Sequence, residues 1–228
     1  TQVVTHLALP DTTVAEITVR TEVENLQPIA KQVSVDLNLE GKKVTQEVNL
    51  APKERKTVVF TPDVHKTLEL KSPRLWWPNN YGRQELYTMD VVVAEKGVSS
   101  DSKKVRFGVR ELSYELEVCF PDDSIRRVEY RPTVMGQGEP IFDNINRKYI
   151  EGGMCMPRLK KNVSSDILVP APDKAMQHYM VIKVNGKRIF CKGGNWGMDD
   201  AMKRVSREHL EPYFRLHKEA NFNMIRNW

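Results

Sequence analysis

Apolar and polar residues alternate over most of residues 3–109, in short runs separated by turn residues. Successive side chains of a strand point to opposite faces, so a period of two predicts strands with one buried face. The clearest run is Val14–Glu24, and we expect further strands at residues 33–39, 44–50, 56–60, 67–70, 86–93 and 103–109. In the clearest run, the predicted inward residues are Ile17, Val19, Thr21 and Val23.

Seven or eight short antiparallel strands in about 100 residues are typical of a β-sandwich. The pattern therefore predicts a mainly β protein with an immunoglobulin-like antiparallel sandwich at residues 1–111. The Cys-Trp-Cys core of antibody domains is absent, so the prediction concerns the architecture alone.

One segment interrupts the alternation: residues 72–87, SPRLWWPNNYGRQELY, which contain two Pro residues and the pair Trp76-Trp77. The indoles have two possible roles. They can plug the end of the sandwich and pack on neighbouring structure, or one of them can stack on a sugar ring. We favour packing, and the sugar-stacking alternative stays open at this point.

The alternation weakens between residues 112 and 180, where Gly and Pro become frequent. Strands are possible at residues 114–120 and 126–130, but the density of turn residues favours an irregular insertion or linker. We therefore expect residues 112–180 to be an irregular insertion that packs beside the domain that follows.

The stretch VNGKRIFCKGGNW, residues 184–196, predicts a hairpin. Asn185 and Gly186 suit a type I′ turn, because both central positions of that turn need a positive φ. Residues 179–184 and 188–192 are the expected strands. Gly193 and Gly194 then allow a sharp turn or a close backbone approach, which would present Asn195 and Trp196 just beyond the strand.

A helix with recognisable ends follows. Ser206 can cap its start, Glu208 lies in the first turn where the helix dipole favours an anion, and Asn221 can end it. Its predicted apolar face consists of Leu210, Tyr213, Phe214, His217 and Ala220. A strand near residues 222–225 completes a strand–helix–strand unit, so residues 181–228 predict the first β-α-β unit of a (β/α)8 barrel.

Composition excludes several classes. No apolar run approaches the roughly 20 residues of a membrane helix, and no signal-peptide layout is visible. The net charge of +5 comes from Lys and Arg interleaved with acids, which indicates a solvated surface and no nucleic-acid partner. Cys119, Cys155 and Cys191 form no CxxC pair, so we expect neither zinc nor redox chemistry.

The segments SPRLWWPNNYGRQELYTM, FGVRE, VNGKRIFCKGGNW and NFNMIRNW together resemble glycoside hydrolase family 2. GGNW followed by Asp199 and Asp200 is most similar to the branch of β-mannosidases, exo-β-glucosaminidases and endo-β-mannosidases. The resemblance implies a sandwich before a catalytic barrel, a carbohydrate substrate and no cofactor or metal. Because the chain opens directly in strand-like sequence, we expect it to be cut from a longer protein, periplasmic or secreted for a bacterial parent.

Enzymes of this family retain configuration and use two carboxyl groups about 5 Å apart. The resemblance implies that both catalytic Glu residues lie beyond Trp228, so this chain contains no catalytic residue. Asp199 and Asp200 are a poor alternative pair, because neighbours on one loop rarely flank a scissile bond. The implied substrate-binding candidates are Asn195, Trp196, Asp199, Arg226, Asn227 and Trp228.

Two functions follow as hypotheses. The first is the sandwich and barrel entrance of a glycosidase that cleaves terminal β-mannosides, β-glucosaminides or β-galactosides, with the rest of its own barrel as a partner. The second is a carbohydrate-binding or scaffold sandwich without catalysis.

Overall fold

The first half of the chain forms the two sheets of a sandwich. The computed structural model describes residues 1–135, 139–149, 155–171, 180–197, 202 and 204–227. They fall into two units, residues 1–77 with 82–110 and residues 78–81 with 111–228. The first unit contains β1 (Gln2–Leu7), β2 (Val14–Glu24), β3 (Lys31–Leu39), β4 (Lys42–Leu50), β5 (Arg55–Phe60), a 3-10 turn (Lys66–Leu68), β6 (Glu69–Lys71), β7 (Tyr87–Glu95) and β8 (Val98–Phe107).

Both sheets are antiparallel and have four strands. In one sheet, β2 pairs with β1 along one edge and with β5 and β6 along the other. The other sheet has the order β4-β3-β7-β8. The predicted mainly β fold with a sandwich is therefore confirmed.

Burial in this unit follows the predicted alternation. Ile17 and Val19 are completely buried, and Thr21 and Val23 are also in the buried class. The core that they join includes Leu37, Leu39, Phe60, Leu68 and Met89. The strands thus contribute apolar residues to one core, β8 only through the partly buried Val105 and Phe107, and burial of these residues is the main favourable term for this unit.

The tryptophan segment packs within the first unit. A Cβ added at Gly108 would lie 2.8 Å from the Cβ of Trp76, and one added at Gly82 would lie 2.7 Å from Cδ1 of Trp77. The guanidinium carbon of Arg110 lies 4.5 Å from the centroid of the Trp76 ring. Each indole therefore packs against a neighbour without a side chain, which favours the packing interpretation of this pair.

The second unit contains a sheet of seven strands. They are β9 (Leu112–Cys119), β10 (Ile125–Tyr130), β11 (Phe142–Tyr149), β12 (Cys155–Leu159), β13 (Val169–Pro170), β14 (Val181–Val184) and β15 (Lys187–Ile189), with a 3-10 turn at Ser165–Ile167. β9 is central: it pairs with β10 on one edge, and with β14 and β12 on the other.

Residues 112–180 are therefore more regular than the irregular insertion that the sequence predicts. Five strands lie among the residues of this region that the structure describes, and the predicted strands at residues 114–120 and 126–130 correspond to β9 and β10. Of the prolines in this region that the structure describes, Pro121, Pro132 and Pro140 lie between strands, whereas Pro157 and Pro170 lie within β12 and β13. Cross-strand pairing in the folded chain outweighs their local preference.

The two faces of β9 meet different surroundings. One face joins an apolar cluster with Val118, Phe120, Val128, Ile141 and Leu159. The other is a charged face, defined here as Glu115 and Glu117 on β9, Arg127 and Glu129 on β10, Lys183 on β14 and Arg188 on β15. Glu115, Glu117 and Glu129 are all buried.

Cations compensate the buried carboxylates of the charged face. Glu115 and Glu129 are direct cross-strand partners, and Lys183 Nζ lies 3.6 Å from the first carboxylate and 2.6 Å from the second. Arg188 donates two hydrogen bonds to Glu115, at 3.1 and 2.8 Å. Burial raises the pKa of Glu129, but the hydrogen bonds and charges of Lys183 and Arg131 outweigh it and hold that pKa below its usual value.

The predicted hairpin is present as β14 and β15. Asn185 and Gly186 have φ of 49° and 79°, as a type I′ turn requires. The returning strand ends at Ile189, earlier than the predicted Lys192, because β15 pairs with β14 whereas the next strand takes a different partner.

That next strand opens a strand–helix–strand unit of β16 (Gly193–Trp196), α1 (Arg207–Glu219) and β17 (Met224–Asn227). β16 and β17 are parallel. Ser206 caps α1 by accepting a bond from the amide of His209, and Asn221 has a φ of 60° just after the helix. Both predicted helix ends are confirmed. The (β/α)8 barrel itself stays a prediction, as does the domain division at residue 181.

Candidate carbohydrate site at the ends of the parallel strands

Four of the six predicted substrate-binding residues lie on β16 and β17. Asn195 pairs with Arg226, and Trp196 pairs with Asn227. Asp199 and Trp228 lie outside the described residues. The prediction placed Asn195 and Trp196 just beyond a strand. They instead form the end of β16, because the chain leaves the hairpin at Ile189 and re-enters sheet structure at Gly193.

The strand register separates these four residues into two pairs. Trp196 points toward α1, where its ring centroid lies 5.4 Å from that of Phe214 and 5.6 Å from that of His217. Successive residues of a strand project to opposite faces, and paired residues of neighbouring strands project to the same face. Asn195 and Arg226 therefore lie together on the face turned away from α1, whereas Asn227 shares the face of Trp196.

Trp196 is held by aromatic packing. Besides Phe214 and His217, it contacts Tyr213, with a centroid distance of 6.1 Å. Three of the five predicted apolar-face residues of α1 thus meet this one indole. The packing gives Trp196 a structural contact between strand and helix, and a direct role in sugar binding stays a prediction.

The parallel pair depends on a glycine. A Cβ added at Gly193 would lie 1.8 Å from the carbonyl oxygen of Met224, whereas one at Gly194 would meet nothing within 4 Å. The expected close backbone approach thus occurs at the first glycine. β17 lies so near β16 at this point that no side chain fits between them.

Asn223, which sequence reasoning did not single out, ties the segments that precede the two strands. Its Oδ1 accepts a hydrogen bond from the Lys192 amide at 2.9 Å, and its Nδ2 donates to the Phe190 carbonyl at 3.0 Å. The Lys192 carbonyl in turn accepts bonds from the amides of Asn223 and Met224. No local sequence pattern signals this role, because the partners are about 30 residues away.

Residues 78–81 bind the backbone at the end of α1 and just after it, and no sequence pattern indicated these contacts. Asn79 Nδ2 donates to the carbonyls of Lys218 and Phe222, at 3.0 and 3.1 Å. Asn80 Nδ2 donates to the carbonyl of Asn221 at 2.9 Å. The available signal is the Pro-Asn-Asn-Tyr sequence, which favours a turn but does not reveal the partners of its side chains.

The chemistry of the paired ends suits binding. Asn195 and Arg226 are both exposed and offer an amide and a guanidinium, groups that bond sugar hydroxyls. Neither β16 nor β17 carries a carboxylate. Across the described ranges, no group of three His, Cys, Asp or Glu side chains is placed to hold a metal ion. The part of the chain that the structure covers also contains no helix long and apolar enough to span a membrane.

The fold and this site define a β-sandwich protein that continues into a parallel strand–helix–strand unit. Comparison with known proteins shows which family this protein resembles. The model of glycosyl hydrolases family 2 matches residues 1–110. An exo-beta-D-glucosaminidase of Streptomyces avermitilis is 34% identical over 224 residues, which are 98% of this chain and 18% of that protein.

Two further matches agree. Beta-mannosidase B of Aspergillus fumigatus is 30% identical over 215 residues, covering 94% of this chain and 18% of that protein. The crystal structure of the exo-chitosanase CsxA of Amycolatopsis orientalis matches with a TM-score of 0.61 at 22% identity, over 99% of this chain and 19% of that one. At that identity, the structural match shows the fold alone.

These matches confirm the family resemblance that the motifs indicate: the chain belongs to glycosyl hydrolases family 2 through residues 1–110. It spans less than a fifth of the length of each of these relatives.

Proposed function

We propose that this chain is the sandwich and barrel-entrance portion of a retaining glycosidase that hydrolyses terminal β-glycosidic bonds at mannosyl, glucosaminyl or galactosyl ends. The observation that carries the proposal is the extent of the matches to named glycosidases. They cover 98% and 94% of the chain, so they extend well beyond the sandwich.

Within that function, Asn195 and Arg226 bind the sugar. Barrel enzymes build their active sites at the carboxyl ends of the parallel strands, with the helices on the outside. The face turned away from α1 would then be the barrel interior. Both residues lie on that face at adjacent strand ends, which supports them over Trp196 and Asn227 as direct contacts.

Catalysis itself requires two carboxyl groups that flank the scissile bond. Because β16 and β17 carry none, we assign both to barrel strands beyond this chain. The role proposed for the chain is therefore to form one wall of the sugar pocket and to support it. The chain on its own binds or positions and does not hydrolyse.

Expression of the longer gene product tests the proposal. We expect it to cleave an aryl β-mannoside, β-glucosaminide or β-galactoside, and we expect the 228-residue chain alone to cleave none of them. Arg226→Lys should lower kcat/KM, because a lysine cannot reproduce the planar fork of donors. Hydrolysis by the isolated chain would contradict the assignment of the catalytic carboxyl groups.

The alternative, a carbohydrate-binding or scaffold sandwich without catalysis, makes a different prediction. The packing of Trp76 and Trp77 against Gly108 and Gly82 supports a scaffold over a glycan-stacking surface. Titration of the chain with mannan or chitosan oligosaccharides distinguishes these roles. Binding that disappears in Trp77→Ala but persists in Arg226→Ala would favour a carbohydrate-binding module.

A further inference from the structure

Residues Pro78 to Tyr81, called here the clamp, form a tight turn that belongs to the second unit although its sequence neighbours Trp77 and Gly82 belong to the first. The Tyr81 amide donates to the Pro78 carbonyl at 3.0 Å, and Asn80 has a φ of 70°. A positive φ at the third position is the mark of a type II turn, which Asn tolerates. The turn presents Asn79, Asn80 and Tyr81 as three consecutive polar side chains.

The two asparagines bind the end of α1 and the segment that follows it. Asn79 donates to the carbonyl of Lys218 in the last turn of the helix and to that of Phe222 beyond it. Asn80 donates to the carbonyl of Asn221, also beyond the helix. The clamp therefore holds the segment through which the chain passes from α1 into β17.

Tyr81 holds the segment that enters the other strand. Its hydroxyl accepts a hydrogen bond from the Phe190 amide at 2.7 Å, and Asn223 binds the carbonyl of the same residue at 3.0 Å. Phe190 is thus fixed on both sides, three residues before β16 begins at Gly193. One short turn binds the approaches to both parallel strands.

We infer that Asn79, Asn80 and Tyr81 are positioning residues for Asn195 and Arg226: by fixing the entry of β16 and β17, the clamp fixes which side chains meet at their ends. This inference rests on the proposed sugar-binding role of that pair. The clamp acts on backbone four to five residues before the pair, about 13–16 Å along extended chain. It therefore supports the site through the strands.

The strand pair needs such support because it is small. β16 and β17 share four register positions, and an isolated pair of strands is marginal in water. A slip of one residue would also turn Arg226 to the opposite face from Asn195. Fixing both entry segments to one rigid turn removes that freedom.

Amide hydrogen exchange in the 228-residue chain, resolved by residue with NMR, tests the inference without any need for activity. We expect Tyr81→Phe to speed exchange at Phe190 and also along β16 and β17, by up to about tenfold for the loss of this one hydrogen bond. Arg83→Ala is the matched control, two residues beyond the clamp and fully solvated, and should change none of these amides. Faster exchange at Phe190 alone, with β16 and β17 unchanged, would overturn the positioning role.

A second variant separates hydrogen bonding from shape. Asn79→Asp keeps the size of the side chain but sets a carboxylate against two carbonyl oxygens and the negative end of the α1 dipole. We expect rapid exchange in β17 at neutral pH and recovery once the aspartic acid is protonated and can donate. Asn79→Ala should stay perturbed at both pH values. Wild-type exchange in Asn79→Asp at neutral pH would sink the inference.

The inference and the proposed function can fail separately. If the longer gene product shows no glycosidase activity, the exchange results still decide whether the clamp orders the strands. If it is active, Tyr81→Phe should raise KM more than it lowers kcat, because a misplaced binding pair weakens substrate and transition state alike. Unchanged kinetics in a variant with faster strand exchange would show that the clamp does not serve the sugar site.

Discussion

The two units of this protein are stabilised in different ways. In the first unit, the buried strand residues are almost all apolar and join one core. In the second, one sheet buries three glutamates with their cations, and the parallel strands are tied by side chains that bond to backbone. The comparison shows that alternating apolar and polar residues are the main signal that specifies the sandwich. The candidate sugar site depends instead on specific polar partners.

The largest expected effect is at the parallel strands. Gly193→Ala places a methyl group 1.8 Å from the Met224 carbonyl oxygen, which only separation of the strands can relieve. We expect a loss of more than about 4 kcal/mol in the stability of this pair, the range of severe steric changes. Chemical-shift and exchange measurements on β16 and β17 would detect it. Gly194→Ala, where space is open, is the control, and equal effects of the two would contradict the model of close approach.

A comparable loss is expected in the first unit from a cavity. Phe60 is completely buried, so Phe60→Ala should lower the free energy of unfolding by about 3–5 kcal/mol. Urea unfolding followed by the signals of Trp76 and Trp77 measures it. Val59→Ala on the exposed face of the same strand should cost less than about 1 kcal/mol. If Phe60→Ala destabilised the second unit equally, the two units would not be stabilised independently, and the comparison would fail.

The charged face should respond to the loss of a single charge. Glu115→Gln leaves Arg127 and Lys183 without their shared carboxylate, and removal of one partner of a buried pair costs about 3 kcal/mol. The measurement is urea unfolding with amides of β9 and β10 as probes. Glu24→Gln, which breaks an exposed pair with Arg55, should change stability by less than about 1 kcal/mol. A negligible effect at Glu115 would show that the apolar face alone holds this sheet.

The smallest effect concerns pH. Backbone and side-chain hydrogen bonds from Asn146, and the backbone amide of Ile145, lower the pKa of Asp143 to about 2. A lowered folded pKa adds stability that is fully present above the usual value of 3.8 and is lost as pH falls toward 2. Exchange at Ile145 and Asn146 should therefore accelerate between about pH 4 and pH 2, beyond the intrinsic pH dependence. Asp143→Asn should abolish this step, and a step that persists would assign it to another group.

Local signals predicted the local structure well. The alternation of Ile17, Val19 and Val23 was enough to orient β2, since side-chain direction in a strand depends on position alone. The hairpin turn at Asn185-Gly186 and the Ser206 cap of α1 followed from backbone preferences and from hydrogen bonds within a few residues. Such features need no knowledge of distant partners.

The rest of the fold depended on contacts between residues that are distant in the sequence. Periodicity could not indicate that β9 pairs with β14, some 70 residues later, or that the face of β9 with Glu115 and Glu117 is buried. Nor could the Pro-Asn-Asn-Tyr sequence show that its amides bind carbonyls at the end of a helix, and just after it, about 140 residues away.

The candidate site shows most clearly which features follow from the sequence and which only from the tertiary structure. The sequence by itself predicted a strand–helix–strand unit with Asn195, Trp196, Arg226 and Asn227 at the ends of its strands, because helix caps and glycines mark its parts. Only the tertiary structure decided that Asn195 and Arg226 share the open face while Trp196 packs on the helix. The reason is physical: strand register is fixed by the partner strand and by the clamp, and neither is encoded in the residues of the strand itself.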